Sequence, residues 1–123
     1  MNKFRILLAE DDTYNQYLVR KVTSDFGFAL DIAENGEAAI NKLDQNEYDL
    51  ILIDLEMPVM NGYDTTTYIR SRMGNKSNIP IIVVSGREAV VEASKCLLLG
   101  ANSYLTKPFN SRELLSEINT LFI

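Results

Sequence analysis

The chain of 123 residues has no histidine and no tryptophan, and it has only one cysteine and three prolines. Without histidine it can form neither a His-containing zinc site, nor a serine–histidine pair, nor a phosphohistidine. The single cysteine, Cys96, cannot form an internal disulfide and has apolar neighbours. We interpret it as a helix-packing residue in a protein of a reducing compartment.

Long apolar runs and basic runs are also missing. The apolar run after Arg5 is too short for a signal-peptide core or a membrane span. A net charge of −5 argues against direct binding to nucleic acid or to an anionic membrane, since both need a basic surface. The length suits one domain, which we place at residues 1–123. We expect a cytoplasmic protein.

Short apolar runs alternate with longer segments of helical spacing. The runs predict strands at residues 4–9, 28–33, 50–53, 79–84 and 103–106. Helices are predicted near 13–26, 38–43, 62–72 and 88–99, and from a capping box at Asn110 and Glu113 through Leu121. In the first helix the apolar stripe is expected to comprise Tyr14, Leu18, Val22 and Phe26, with Tyr17 and Val19 alongside. This alternation predicts an α/β fold, a doubly wound five-stranded parallel sheet flanked by five helices.

Polar residues stand where four of the predicted strands end. Glu10 and Asp11 follow the first strand, Asp54 the third, Ser85 the fourth and Lys107 the fifth. Ligands of such sheets bind at the carboxyl ends of the strands. We therefore expect these side chains to share one crevice.

Three carboxylates in one crevice need a cation or shared protons. An all-oxygen donor set without histidine favours Mg²⁺, which takes one or two carboxylates and leaves one free. An ionised Asp54 needs no general base to attack phosphorus, and Lys107 and Ser85 can contact a phosphoryl group. Each residue also has a structural interpretation, such as helix capping by Asp12 or Thr13. Their convergence favours phosphoryl transfer to an acid.

Longer motifs resemble the receiver domain of two-component response regulators over essentially the whole chain. They comprise residues 6–12 (ILLAEDD), 54–62 (DLEMPVMNG), 83–86 (VVSG) and 100–109 (GANSYLTKPF). The resemblance implies the flavodoxin-like (βα)5 fold with strand order 2-1-3-4-5. It also implies a signalling domain that assists its own phosphorylation and dephosphorylation without turning over a separate substrate.

The resemblance also implies a donor and a metal. Asp54 would accept the phosphoryl group from a phosphohistidine on a partner histidine kinase or phosphotransfer protein. Asp11 would bind Mg²⁺ directly, Glu10 would bind it through water, and the backbone carbonyl of Glu56 would be a third protein ligand. Asp54 would complete the metal site, and Mn²⁺ could replace Mg²⁺.

Lys107 would contact the phosphoryl group, and its bond to Pro108 is expected to be cis. Ser85 and Tyr104 would form a switch pair that reshapes the face of the fourth helix, fifth strand and fifth helix, where a downstream partner would bind. Glu10 replaces the more usual Asp of the acidic pair. We further hypothesise that Glu56 and Arg87 pair across the site and modulate dephosphorylation.

Other functions remain as alternatives. Asp54 and Glu56 loosely resemble the acidic pair of haloacid-dehalogenase-like phosphatases, although no general-acid Asp stands at the second position. A flavodoxin-like cofactor binder would need a phosphate-binding loop where this chain has acids. A non-phosphorylated pseudo-receiver is disfavoured by the complete set of acids and lysine. The segment Tyr14-Asn15-Gln16 is similar to receivers of hybrid histidine kinases, so both a stand-alone regulator and a kinase module stay open.

Overall fold

A computed structural model describes residues 3–86 and 90–122, apart from the side chains of residues 90, 92 and 93. Strands and helices alternate along the chain. The strands are β1 (Arg5–Ala9), β2 (Ala29–Ala33), β3 (Leu50–Asp54), β4 (Ile81–Gly86) and β5 (Ser103–Lys107). The helices are α1 (Thr13–Asp25), α2 (Gly36–Gln45), α3 (Gly62–Arg72), α4 (Val90–Leu98) and α5 (Ser111–Phe122), with a short 3-10 helix at Gly74–Lys76.

All five strands are parallel and lie in the order β2-β1-β3-β4-β5. This confirms the predicted doubly wound sheet. Every residue of β3 is buried, because helices cover both faces of a parallel sheet. Alternate residues enter two separate clusters: Leu7, Ile51 and Val83 belong to one, and Leu8, Leu52 and Val84 to the other.

Side-chain caps define where several helices begin. Asp12 accepts a hydrogen bond from the backbone N–H of Asn15 at 2.8 Å, which confirms the expected cap of α1. Before α5 the bonds are reciprocal, as the capping box predicts. Asn110 Oδ1 accepts from the N–H of Glu113 at 2.9 Å, and Glu113 Oε1 accepts from the N–H of Asn110 at 3.3 Å.

The inward face of α1 contains the predicted Val19 and Val22 but not all of the predicted aromatic residues. Val19 and Thr23 are its buried residues, whereas Tyr14 is 66% exposed and Phe26 is 42% exposed. The stripe was wrong at these two positions because the helix is oriented by packing of Val19 and Val22 on the sheet. Tyr14 and Phe26 therefore remain on the surface although they stand at helical spacing.

Arg70 of α3 binds the segments that lead into β4 and β5. Its guanidinium donates to the carbonyl oxygens of Gly100 (2.8 Å), Ser77 (2.7 Å) and Ile79 (2.7 Å), and to Asn102 Oδ1 (2.9 Å). The predicted strand at 79–84 accordingly starts only at Ile81, because Arg70 binds the Ile79 carbonyl and the next residue is a proline without an N–H.

The predicted fourth helix, 88–99, is described from Val90 to Leu98. Cys96 is buried in this helix, as predicted. No helix among the described residues combines the length and the apolar character that a membrane span requires.

Candidate functional site

Three carboxylates meet at the carboxyl edge of the sheet. Glu10 and Asp11 follow β1, and Asp54 is the last residue of its neighbour β3, in which Ile53 pairs with Ala9. One carboxylate oxygen from each of the three acids lies within 4.8 Å of the others. Glu10 and Asp54 are buried and Asp11 is exposed. The parallel register of two strands thus brings together residues that are more than forty positions apart.

Lys107 supplies the positive charge of this cluster. Its Nζ lies 3.0 Å from Glu10 Oε1 and 3.2 Å from Asp54 Oδ1. The side chain comes from the end of β5, two strands away from β3 in the sheet. Its peptide bond to Pro108 is cis, as expected. One ammonium group therefore faces two buried carboxylates, and the described charges do not balance without a further cation or proton.

The electrostatics follow from this imbalance. Burial raises the pKa of Glu10 to about 7, the hydrogen bond from Lys107 opposes that rise, and repulsion from Asp54 adds to it. Burial alone would lower the pKa of Lys107, but the hydrogen bond to Glu10 and the charge of Asp54 outweigh it and raise the pKa. Binding of a divalent cation would favour the ionised form of Glu10.

The loop from Leu55 to Gly62 folds back on the end of β3. The N–H of Gly62 donates to the Leu55 carbonyl at 2.9 Å. A Cβ at Gly62 would lie 2.7 Å from the carbonyl oxygen of Asp54 and 2.8 Å from Leu55 Cα, so only glycine fits. Within the loop, Val59 has a positive φ of 68°. Glu56 is held beside the acids: its N–H donates to Asp54 Oδ1 at 3.4 Å, and it lines a groove of about 610 Å³ together with Asp11.

Ser85 and Tyr104 lie on one face of the sheet. Ser85 is two residues after Val83 on β4, and Val83 pairs with Tyr104 on β5. Val83 and Tyr104 pack in the same core cluster, and residues two apart on a strand point to the same face. Ser85 Oγ is buried without a hydrogen-bond partner among the described residues. Such a hydroxyl can donate to a group that enters the crevice.

The remaining features of the site are Arg87, Gln16 and a neighbouring cavity. Arg87 lies outside the described residues, so its hypothesised pairing with Glu56 stays a prediction. Gln16, which had no assigned role, donates from Nε2 to the backbone carbonyl of Glu10 at 2.7 Å. The available signal was a long amide side chain in the first turn of a helix that directly follows the acids. A cavity of about 290 Å³ between α1 and Phe109 also opens beside Glu10 and Asp54.

Comparisons with known proteins agree with this geometry. The family model described as the response regulator receiver domain matches residues 6–119. The hybrid signal transduction histidine kinase I of Dictyostelium discoideum is 35% identical over 94% of this chain, which spans 7% of that protein. The transcriptional regulatory protein CpxR of Escherichia coli (strain K12) is 37% identical over 98% of this chain, which spans 49% of that protein. These relatives give no support to the phosphatase alternative.

Solved structures show the same fold. The receiver domain of a sensor histidine kinase from Pseudomonas aeruginosa PAO1 was solved with a magnesium ion coordinated in its active-site cleft. It is 31% identical to this chain, with a TM-score of 0.88 and coverage of 97% of each chain. The chemotaxis protein CheY4 of Vibrio cholerae has a TM-score of 0.89 at 24% identity, covering 98% of this chain and all of that one. The family match, the sheet order and the acidic cluster together show that this chain belongs to the response regulator receiver domain family of two-component signalling.

Proposed function

We propose that Asp54 is the phosphoacceptor of this receiver domain and that a partner phosphohistidine is its donor. The observation that carries the proposal is the proximity of the Asp54 carboxylate to the other two acids and to Lys107. Its carboxylate is within 4.8 Å of those of Glu10 and Asp11, and 3.2 Å from the Lys107 ammonium. A nucleophile, a cation site and a positive side chain are the parts that phosphoryl transfer needs.

The donor set fits a hard divalent cation. Asp11 and Asp54 offer carboxylate oxygens, Glu10 acts through water, and the Glu56 backbone carbonyl completes the protein ligands. These all-oxygen ligands suit Mg²⁺, and Mn²⁺ would be accepted as a substitute. Bound Mg²⁺ would neutralise charge on the phosphoryl oxygens. The excess of negative charge around Lys107 supports this assignment.

The reaction forms one bond and breaks one. An oxygen of the ionised Asp54 attacks phosphorus while the P–N bond of the phosphohistidine breaks. The imidazole nitrogen keeps that electron pair. Lys107 contacts the transferred phosphoryl group, and Ser85, whose hydroxyl has no partner among the described residues, donates to one of its oxygens. The acyl phosphate is later hydrolysed at the same site, so the domain acts on itself and turns over no separate substrate.

The phosphoryl group would be sensed through Ser85 and Tyr104. Movement of the Ser85 hydroxyl toward the phosphate leaves space on the sheet face that it shares with Tyr104, and the aromatic ring turns inward. This changes the face formed by α4, β5 and α5, where a downstream partner binds. The outward side chains of α4 include Val91 and Leu98, which are 67% and 89% exposed and offer apolar contact area.

The partners follow from the chemistry. A histidine kinase or histidine phosphotransfer protein supplies the phosphoryl group, because this chain has no histidine. The domain functions in the cytoplasm and contacts neither nucleic acid nor membrane directly. Its relatives include both hybrid kinases and transcriptional regulators, and the similarity of Tyr14-Asn15-Gln16 favours the receiver module of a hybrid histidine kinase.

Incubation with Mg²⁺ and a small acyl-phosphate donor, followed by intact-mass measurement, tests the proposal. One phosphate adduct is expected on the wild type and none on Asp54→Asn or after chelation of Mg²⁺. Asp25→Asn, at the exposed end of α1, is the matched control and should be modified like the wild type. Absence of the adduct on the wild type, or an undiminished adduct on Asp54→Asn, would contradict the assignment.

A further inference from the structure

We infer that Gln16 is a positioning residue of the metal site, because it holds the peptide unit that joins Glu10 to Asp11. The inference rests on the proposed function, which assigns both acids to the metal. Gln16 lies in the first turns of α1, six residues after Glu10, and it does not belong to the acidic cluster itself. Its contribution is a hydrogen bond to backbone and not a ligand atom.

The backbone at Glu10 is bound on both sides. Its N–H donates to the carbonyl oxygen of Ala33 at 2.9 Å, which continues the pairing of β1 with β2 beyond Ala9. Its carbonyl oxygen accepts from Gln16 Nε2 at 2.7 Å. Since Glu10 is buried, loss of the second bond would leave a carbonyl without that partner in a largely dry position.

That carbonyl belongs to the peptide plane between the two acids. A peptide unit is planar, so its orientation sets the directions in which the flanking Cα atoms project their side chains. Rotation of this plane would move the Glu10 and Asp11 carboxylates relative to each other. The same turn is held at Glu10 Oε2, which accepts from the N–H of Asp12 at 3.2 Å.

Gln16 joins both ends of this turn to α1. Its own N–H donates to the carbonyl of Asp12 at 3.0 Å, which is a helical hydrogen bond between residues four positions apart. Its side chain reaches back to the carbonyl of Glu10. Asp12 Oδ2 is already engaged as the helix cap with Asn15. The amide is suited to this role because it donates without charge, whereas an acid there would place an acceptor against the carbonyl.

Substitution of Gln16 by Met removes the donor and retains the length of the side chain. We expect the Kd for Mg²⁺, measured by calorimetric titration of the whole chain, to rise roughly tenfold, as is usual when a ligand-orienting contact is lost. Gln45→Met at the exposed end of α2 is the matched control and should bind Mg²⁺ within twofold of the wild type. Gln16→His, unlike Gln16→Met, keeps a neutral N–H donor at this position and should retain most of the wild-type affinity for Mg²⁺.

The amide ¹⁵N resonance of Asp11 reports directly on the hydrogen bond to the preceding carbonyl. It should shift in Gln16→Met without metal and not in the Gln45 control. Equal Mg²⁺ affinity of Gln16→Met and the wild type would overturn the inference, as would an equal loss in the Gln45 control. If Gln16→Met does not fold, the same measurements are made on Gln16→Ala, because alanine is a good helix former. A wild type that binds no Mg²⁺ contradicts the proposed function instead.

Discussion

The ammonium nitrogen of Lys107 lies 3.2 Å from Asp54 Oδ1, and the same nitrogen lies 3.0 Å from Glu10 Oε1. The two buried carboxylates therefore share a single positive charge, which can neutralise only one of them. The acid that is proposed to react and the acid that is proposed to help bind the metal depend on one counter-ion. The ionisation of the site, the stability of the fold and the affinity for a divalent cation are consequently linked.

Replacing Lys107 with Met should destabilise the protein by about 3 kcal/mol at pH 8 without metal, because two buried carboxylates lose their cation. Urea unfolding, followed by far-UV circular dichroism, measures the change in the free energy of unfolding. Lys21→Met, at an exposed position of α1, is the control and should stay within about 0.5 kcal/mol of the wild type. Equal effects of the two substitutions would show that the pairing contributes nothing.

The raised pKa of Glu10 predicts a pH-dependent stability of the metal-free protein. Its pKa is about 7 in the folded state and 4.5 without the fold, so the folded state binds this proton more tightly. The resulting stabilisation is complete below pH 4.5 and is lost as the pH rises through 7. The expected loss is up to about 3 kcal/mol.

Denaturant unfolding from pH 5 to pH 8 measures this loss, with Glu10→Gln as the comparison. The variant has no carboxyl group to titrate at this position, so its stability should fall less over the same range. Parallel profiles of the two proteins would mean that Glu10 titrates near its ordinary pKa. Saturating Mg²⁺ should also flatten the wild-type profile, since it favours the ionised acid.

Gly62→Ala should destabilise the protein by about 2 kcal/mol, because the new Cβ would meet backbone atoms of Asp54 and Leu55 at 2.7 and 2.8 Å. It should also weaken Mg²⁺ binding, since the loop that carries Glu56 must shift. Gly27→Ala is an instructive control. Gly27 has a φ of +72° and nothing within 4 Å of the added Cβ, so that variant should lose about 1 kcal/mol and keep its Mg²⁺ affinity. The two Kd values, measured by calorimetry, separate these outcomes.

Arg70→Lys should destabilise the protein by about 3 kcal/mol despite retaining the charge, because an ammonium group cannot reproduce bonds to four separate oxygens. Arg72→Lys is the matched control on the same helix, at an exposed position, and should have an effect below about 0.5 kcal/mol. Guanidinium unfolding provides both values. A similar loss in the two variants would contradict the proposed importance of the planar guanidinium.

Much of the fold was predictable because local patterns and the architecture agree. Strand β3 is buried on both faces, so its sequence is apolar until Asp54, and that pattern is typical of a central parallel strand. The capping box before α5 was likewise predictable, because both partners lie within four residues. The inward face of α1 was less predictable, since aromatic side chains at helical spacing do not reveal which of them face the sheet.

The sequence by itself determined the parallel sheet and the candidate site residues, because strands buried on both faces are apolar and reactive side chains follow their ends. Only the tertiary structure decided that Lys107 is shared by Glu10 and Asp54, that Gln16 holds the peptide between the acids, and that Ser85 Oγ is buried without a partner among the described residues. These relationships join atoms from different strands and helices. Their distances depend on register and packing, which composition and periodicity do not encode.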